Sequence, residues 1–254
     1  MELREIIFKI DEYLGRSPLL RLDYIGKEPP ASEIVCYINK IRQQMGVLFK
    51  SIERPLNVVL MGEVKSGKST IINALAGKIV SPMDVLEATA AIINISYRDP
   101  AEAEILKNGK RIFAGTVEEV YQFLSARQGD TKFFTETVEV NLGLPLHQLK
   151  EFHLIDTPGL ATISTIYAEK TRDFAQQSDV VLWVFNANHP GQSDVRDELA
   201  RVARLGKPII GIINRIDEID GDPEKLVKYI QRSLGEYLQK VFAISGKRAL
   251  EAVI

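Results

Sequence analysis

One eight-residue segment constrains this chain more than any other feature of its sequence. Gly62-Glu63-Val64-Lys65-Ser66-Gly67-Lys68-Ser69 matches the pattern G-x-x-x-x-G-K-[ST] at every specified position, and Thr70 follows directly. The apolar run 57–61 precedes the segment, and helix-forming residues 70–76 follow it. In such a strand–loop–helix, backbone N–H groups converge on phosphate oxygens and the helix N-terminus adds partial positive charge. We therefore predict a phosphate-binding loop; an ordinary glycine-rich turn is the alternative interpretation.

Two motifs, the phosphate loop and a second motif at 156–159, supply groups that suit a nucleotide-bound cation. In the loop itself, Lys68 would reach the β- and γ-phosphates, and the Ser69 hydroxyl would bind Mg²⁺. Asp156-Thr157-Pro158-Gly159 follows the apolar run 152–155. Asp156 suits a water-mediated contact with Mg²⁺, and the Gly159 N–H can contact the γ-phosphate. This motif alone is weak, but its place after a predicted strand strengthens it.

The choice of base depends on two further loops. Asn214-Arg215-Ile216-Asp217 follows the apolar run 209–213, and Ser245-Gly246-Lys247 follows another at 241–244. The Asp217 carboxylate can accept both the N1–H and the N2 amino group of guanine, whereas adenine would leave it desolvated and unpaired. Asn214 would contact the N7 and O6 side and brace the phosphate loop, and a backbone N–H of 245–247 would donate to O6. The ordered set of motifs therefore predicts a GTP-binding domain.

Composition and charge narrow the class of protein. The 254 residues carry 32 Lys and Arg against 34 Asp and Glu, so no global positive field would attract a nucleic acid. The single cysteine, Cys36, cannot form an internal disulfide, which favours a reducing compartment. No apolar run approaches the roughly 18–20 residues of a membrane span. We expect a cytoplasmic α/β protein that does not bind nucleic acid.

The chain divides into two regions with different patterns of apolar and polar residues. Residues 1–54 have helical periodicity, and 34–52 carry a heptad-type apolar seam nearly three repeats long. This segment is interpreted either as helices docked on their own domain or as part of a helical bundle or neck. Residues 55–254 alternate strand-like and helix-like segments. That alternation predicts a three-layer α/β domain with an enlarged, mostly parallel sheet.

The motifs resemble those of the Ras-like P-loop GTPases across 55–254, but the interval from Gly62 to Asp156 is far longer than in small members. That expansion resembles the dynamin superfamily, and bacterial dynamin-like proteins most closely. The segments 72–75, 81–82 and 87–90, together with the helical residues before the loop, support the same resemblance.

The resemblance implies several roles that spacing alone does not supply. Thr89 becomes the threonine that completes the Mg²⁺ coordination and helps to hold the attacking water; a capping residue is the alternative interpretation. Leu160 stands where Ras-like enzymes carry a water-orienting Gln, so the backbone at Gly159 and Thr89 would hold the nucleophile. Lys65 is interpreted either as a cation that neutralises charge between the β- and γ-phosphates or as a solvated loop lysine.

The resemblance also implies a function for the whole protein. By resemblance, the protein would be a dynamin-like GTPase whose domains would dimerise in a nucleotide-dependent way and whose full-length form would remodel membranes. A helical stalk would be its partner, membrane contact would come through regions outside this sequence, and the chain would be a GTPase-domain fragment. The full-length protein would lie peripherally at the inner face of a membrane. Two alternatives stay open: an Era-like regulatory switch acting on a protein or RNA effector, and a binding module that has lost hydrolysis.

Overall fold

The computed structural model describes most of the chain in two units. Its described residues are 3–20, 31–63, 65–81, 91–127, 130, 132–135, 138–157, 173–189 and 193–254. Val64, Thr89, Gly159 and Leu160 lie outside these ranges. Contacts divide the chain into Met1–Pro55 and Leu56–Ile254. None of the helices in the described part is long and apolar enough to cross a membrane.

The first unit is a pair of helices, α1 (Leu3–Gly15) and α2 (Ala31–Glu53). Arg42 of α2 donates through Nε to Asp11 Oδ1 of α1 at 2.9 Å, and Ile7 of α1 is buried. Much of the predicted heptad seam is exposed within this unit, at Ile34, Ile41 and Leu48. Ser32, followed by Glu33, predicts a helix N-cap from the sequence, but this position is wrong, because α2 already begins at Ala31.

The second unit is built on one large sheet. Its strands are β1 (Leu56–Gly62), β2 (Ile92–Tyr97), β3 (Glu102–Lys107), β4 (Lys110–Gly115), β5 (Val138–Leu144), β6 (Phe152–Asp156), β7 (Val180–Asn186), β8 (Ile209–Asn214) and β9 (Lys240–Ala243). In the described part of the chain they lie in the order β4-β3-β5-β2-β6-β1-β7-β8-β9. The pairs around β1, and those linking β7, β8 and β9, are parallel. Antiparallel pairs join β2 to β6 and β3 to both of its neighbours.

Helices cover both faces of the sheet, because buried strands present apolar side chains on both sides. Along β1, Leu60 belongs to one core cluster, while Val59 and Met61 belong to the other. The first cluster includes residues of α3 (Lys68–Ala76) and α4 (Val117–Ser125). The second includes residues of α5 (Ser193–Ala203) and α6 (Pro223–Leu234). The predicted three-layer architecture is confirmed, and a last short helix, α7 (Gly246–Glu251), follows β9.

The segment between the phosphate loop and Asp156 supplies one side of the sheet. Asn108-Gly109, a pair that predicts a hairpin turn from the sequence, forms the turn between β3 and β4, and both residues have positive φ. Thr116 and Glu119, three residues apart, form a capping box at the start of α4. Strands β2 to β5 thus extend the sheet beyond β6.

One predicted boundary is wrong. The sequence pattern predicts a helix over 223–239, but α6 ends at Leu234, because Gly235 follows and glycine is unfavourable in a helix interior. Leu238, beyond that end, is nevertheless buried in the second core cluster.

Candidate nucleotide-binding site

Three predicted motifs lie at the same edge of the sheet. Gly62, Asp156 and Asn214 are the last residues of β1, β6 and β8. In the parallel register Leu60 pairs with Asp156, and Asn186 at the end of β7 pairs with Asn214. Parallel strands bring their carboxyl ends to one edge, where ligands of open α/β sheets bind.

The backbone of the phosphate loop requires its two glycines. Gly62 has φ +133°, and a Cβ there would lie 2.2 Å from the Val184 carbonyl oxygen. Gly67 has φ +86°, and a Cβ there would lie 2.3 Å from Asn214 Nδ2. α3 begins directly after Gly67, so its first N–H groups face the loop. Such an arrangement, a glycine-rich loop followed by a helix N-terminus, suits an anion.

Two lysines of the loop lie in different environments. Lys68 is buried, and its Nζ donates to the carbonyl oxygens of Glu63 at 2.8 Å and Gly62 at 3.3 Å. Its charge is therefore held inside the loop. Lys65 is exposed, with the left-handed φ of 59°. Ser66 is fully buried and donates through its hydroxyl to the Glu63 carbonyl at 2.8 Å.

Glu63 lies half-buried at the beginning of the loop. Burial raises the pKa of its carboxyl, against the opposing effects of the Asn186 backbone N–H, His189 and Lys68. Its Oε1 is buried without a hydrogen-bond partner among the described residues.

Asp156 is buried and collects hydroxyl donors. The hydroxyls of Ser69 and Ser81 donate to its Oδ2 at 3.0 and 3.1 Å. Burial raises the pKa of Asp156, while Lys68 and the two hydroxyls oppose that rise. The neighbouring Thr157 donates to the Leu60 carbonyl at 2.6 Å and so joins the ends of β6 and β1.

The Asn214 side chain joins the phosphate loop to the loop after β9. Its Nδ2 donates to the Ser66 carbonyl at 2.8 Å, and its Oδ1 accepts the Gly246 N–H at 2.8 Å. The side chain is buried, and a Cβ on Gly246 would lie 3.1 Å from Asn214 Oδ1. The predicted bracing contact between Asn214 and the phosphate loop is present.

The polar side chains that follow Asn214, those of Arg215, Asp217 and Glu218, form a surface together with Ser245. A hydrogen bond from Ser245 lowers the pKa of Asp217, with Arg248 and Lys247 acting in the same direction. Ser245 also accepts the Arg248 N–H at 3.1 Å and caps α7.

The Arg215 side chain is held on the same surface. Its backbone is left-handed, with φ 69°, and its Nη1 contacts Glu218 Oε1 at 3.3 Å. Glu218 also accepts from Asn188 Nδ2 at 2.8 Å.

Sequence reasoning missed several residues of this region. Ser81, Asn73, Tyr121, Asn188 and Glu218 contact the predicted motifs or their neighbours but belong to none of them. Asn73 and Ser81 lie in segments 72–75 and 81–82, whose sequence supports the family resemblance but indicates no contact with the site.

The oxygen donors near Ser69 suit a hard divalent cation. A serine hydroxyl and a carboxylate lie within hydrogen-bond distance of each other, and Mg²⁺ binds few protein oxygens while retaining water and substrate phosphates. In the described ranges, no group of three or more His, Cys, Asp or Glu residues could hold a metal ion.

Comparison with known proteins identifies the family. The sequence profile of the Dynamin family matches residues 58–216. The probable transmembrane GTPase FZO-like of Arabidopsis thaliana chloroplasts is 24% identical, over 87% of this chain and 22% of its own length. Dynamin-like protein 2 of Campylobacter jejuni is 21% identical, over 82% of this chain and 34% of its own length.

A solved structure of an oligomerised bacterial dynamin pair, described as a mechanism for sensing and tethering membranes, has the same fold. It superposes with a TM-score of 0.59 at 15% identity, over 96% of this chain and 37% of that chain. The chain thus spans less than half the length of each of these three proteins. It belongs to the dynamin family of GTPases, which confirms the predicted resemblance.

The contacts of Asn214 predict a large effect on stability. Replacing Asn214 with Ala leaves the Ser66 carbonyl and the Gly246 N–H without their buried partner. We expect the free energy of unfolding to fall by about 2–4 kcal/mol, measured by urea denaturation.

The exposed Asn188, replaced with Ala, is the control and should lose less than about 1 kcal/mol. An equal loss in the two variants would contradict the bracing role of Asn214.

Proposed function

We propose that this chain binds GTP with Mg²⁺ and hydrolyses it to GDP and phosphate. One observation carries the proposal: Asn214 hydrogen-bonds both the phosphate loop and the loop at Gly246, while Ser69 of the same phosphate loop contacts Asp156. Groups suited to phosphate, cation and guanine are thereby joined in one hydrogen-bonded assembly.

The phosphate end uses the loop and the start of α3. The N–H groups of 62–70 would surround the β-phosphate, and the Lys68 ammonium, held by two loop carbonyls, would reach the β- and γ-phosphates. The Ser69 hydroxyl donates a hydrogen bond to Asp156. Its oxygen lone pairs therefore point away from that carboxylate and suit a cation. Bound Mg²⁺ would neutralise charge on the phosphates, with Ser69, Thr89 and Asp156 as its protein partners.

The base end explains selectivity for guanine. Asp217 would accept N1–H and the N2 amino group, and a depressed pKa keeps its carboxylate ionised for that task. Arg215 would lay its stem along the base while Glu218 holds its guanidinium. The loop 245–247 would donate a backbone N–H to O6.

Base selectivity can be tested with Asp217→Asn. The amide replaces one acceptor with a donor that faces the guanine amino group, whereas xanthine offers a carbonyl there. We expect GTP affinity, measured by fluorescent-analogue titration, to fall about 10- to 100-fold while affinity for xanthosine triphosphate rises.

The exposed Asp220, replaced with Asn, is the matched control and should leave both affinities unchanged. Unaltered GTP affinity in Asp217→Asn would argue against this binding mode.

Hydrolysis requires an oriented water molecule and a positive charge near the phosphate that is transferred. Leu160 cannot orient water, so the proposed groups are the backbone at Gly159 and Thr89, with the Lys65 ammonium stabilising charge between the β- and γ-phosphates.

Lys65→Ala separates this role from binding. Both residues have a Cβ, so the strain at φ 59° is unchanged. We expect kcat for phosphate release to fall about 10-fold or more, with GTP affinity within about threefold. Lys78→Ala, at another exposed position, is the control; unchanged kcat in Lys65→Ala would remove Lys65 from the mechanism.

The full-length protein is proposed to act on membranes through self-association. The described oligomeric bacterial dynamin pair and the chloroplast transmembrane GTPase support this inference for the family. In this proposal GTP drives the domains together across their nucleotide faces. A helical stalk transmits the change to a membrane at whose inner, cytoplasmic face the protein lies, and no nucleic acid takes part.

Analytical ultracentrifugation tests the self-association. The chain is expected to sediment as a monomer with GDP, and as a dimer with a non-hydrolysable GTP analogue or with GDP and aluminium fluoride. A monomer in all three states would favour the Era-like switch instead.

A further inference from the structure

A second serine contacts Asp156 from outside all four nucleotide motifs. The Ser81 hydroxyl donates to Asp156 Oδ2 at 3.1 Å, the same oxygen that accepts Ser69 at 3.0 Å. Ser81 is fully buried, and Asp156 is 5% exposed. Because these side chains are shielded from solvent, each hydrogen-bond donor to the Asp156 carboxylate helps to determine the orientation of that carboxylate.

Ser81 is itself fixed by the last turn of α3. Asn73 Oδ1 accepts the N–H groups of Val80 and Ser81 at 2.9 and 2.8 Å, and Asn73 Nδ2 donates to the Ser81 carbonyl at 2.8 Å. Asn73 is 1% exposed, so these three bonds have no competition from solvent. These bonds fix the backbone conformation at 80–81 and thereby the direction in which the Ser81 side chain points.

The turn at 80–81 also has a contact with α4, a helix in the segment between the phosphate loop and Asp156. Tyr121, on α4, donates its hydroxyl to the Val80 carbonyl. Burial and the nearby negative charge of Asp156 raise the pKa of this phenol, so the hydroxyl stays protonated and remains a donor. The turn at 80–81 is therefore held by α3 on one side and by α4 on the other.

We propose that Ser81 is a positioning residue of the magnesium site, and that Asn73 and Tyr121 hold it there. Two hydroxyls on one carboxylate oxygen fix the orientation in which Asp156 faces the cation position beside Ser69. This inference rests on the proposed magnesium-dependent binding of GTP. It adds to that function a contact from the inserted helix α4, which no nucleotide motif contains.

The test is the dependence of nucleotide affinity on free Mg²⁺. Binding of a fluorescent, non-hydrolysable GTP analogue to the 254-residue chain is titrated at a series of Mg²⁺ concentrations and in EDTA. Residues that orient a metal ligand typically change metal affinity 10- to 100-fold. Ser81→Ala should therefore raise the half-saturating Mg²⁺ concentration about 10-fold or more, with affinity in EDTA within about twofold of the unmodified chain.

Tyr121→Phe provides an independent variant that keeps the partly buried ring. Loss of its single hydrogen bond to the 80–81 turn should raise the half-saturating Mg²⁺ concentration about threefold or more. This measurement decides the proposal if Ser81→Ala does not fold.

The matched controls lie away from the site. Ser178 is also fully buried, and its hydroxyl donates to the Ala175 carbonyl just before β7, at the opposite end of that strand from the nucleotide motifs. Tyr229 is an exposed tyrosine of α6. Ser178→Ala and Tyr229→Phe should leave the Mg²⁺ dependence unchanged.

Three outcomes overturn the positioning role of Ser81. They are an unchanged Mg²⁺ dependence in Ser81→Ala or Tyr121→Phe, an equal loss of affinity in EDTA and in Mg²⁺, and an equal effect in the controls. If the unmodified chain binds the GTP analogue with no dependence on Mg²⁺, this inference and the proposed cation site fail together. If it does not bind the analogue at all, the proposed GTP binding fails first.

Discussion

The buried amide of Asn214 is the interaction on which the rest of the site depends. It joins the phosphate loop to Gly246, the first residue of α7, and both of its hydrogen bonds are 2.8 Å long. The amide fits there because Gly67 and Gly246 leave room for it. A single side chain at the end of β8 therefore sets the distance between the phosphate-binding and base-binding parts of the proposed site.

The long interval between the phosphate loop and Asp156 is structural as well as diagnostic of the family. It supplies β2, which pairs with β6, and β5, β3 and β4, which extend the sheet beyond it. It also supplies Tyr121, whose hydroxyl contacts the turn that orients Ser81. The region that distinguishes this chain from small Ras-like proteins thus reaches the buried carboxylate at the centre of the site.

Local patterns predicted the motifs and most of the strands, because each depends on residues close in sequence. Asn214, for example, follows an apolar run that has the length of a buried strand, and its place at the sheet edge follows from that. The contacts of Ser81 and Tyr121 with this site could not be predicted, since they depend on how α3 and α4 pack on the same face. The apolar pattern predicts too late an end for α6, because the buried Leu238 continues that pattern after the helix has ended at Leu234.

The two serines on Asp156 belong to one continuous stretch of chain. It leaves the carboxylate at Ser69, passes through α3, turns at the bonds of Asn73, and returns to the same oxygen at Ser81. Residues 69–81 thus form a ring closed on a single atom. A shift of the end of β6 would strain both closures at once, so this part of the domain should rearrange as one cooperative unit rather than residue by residue.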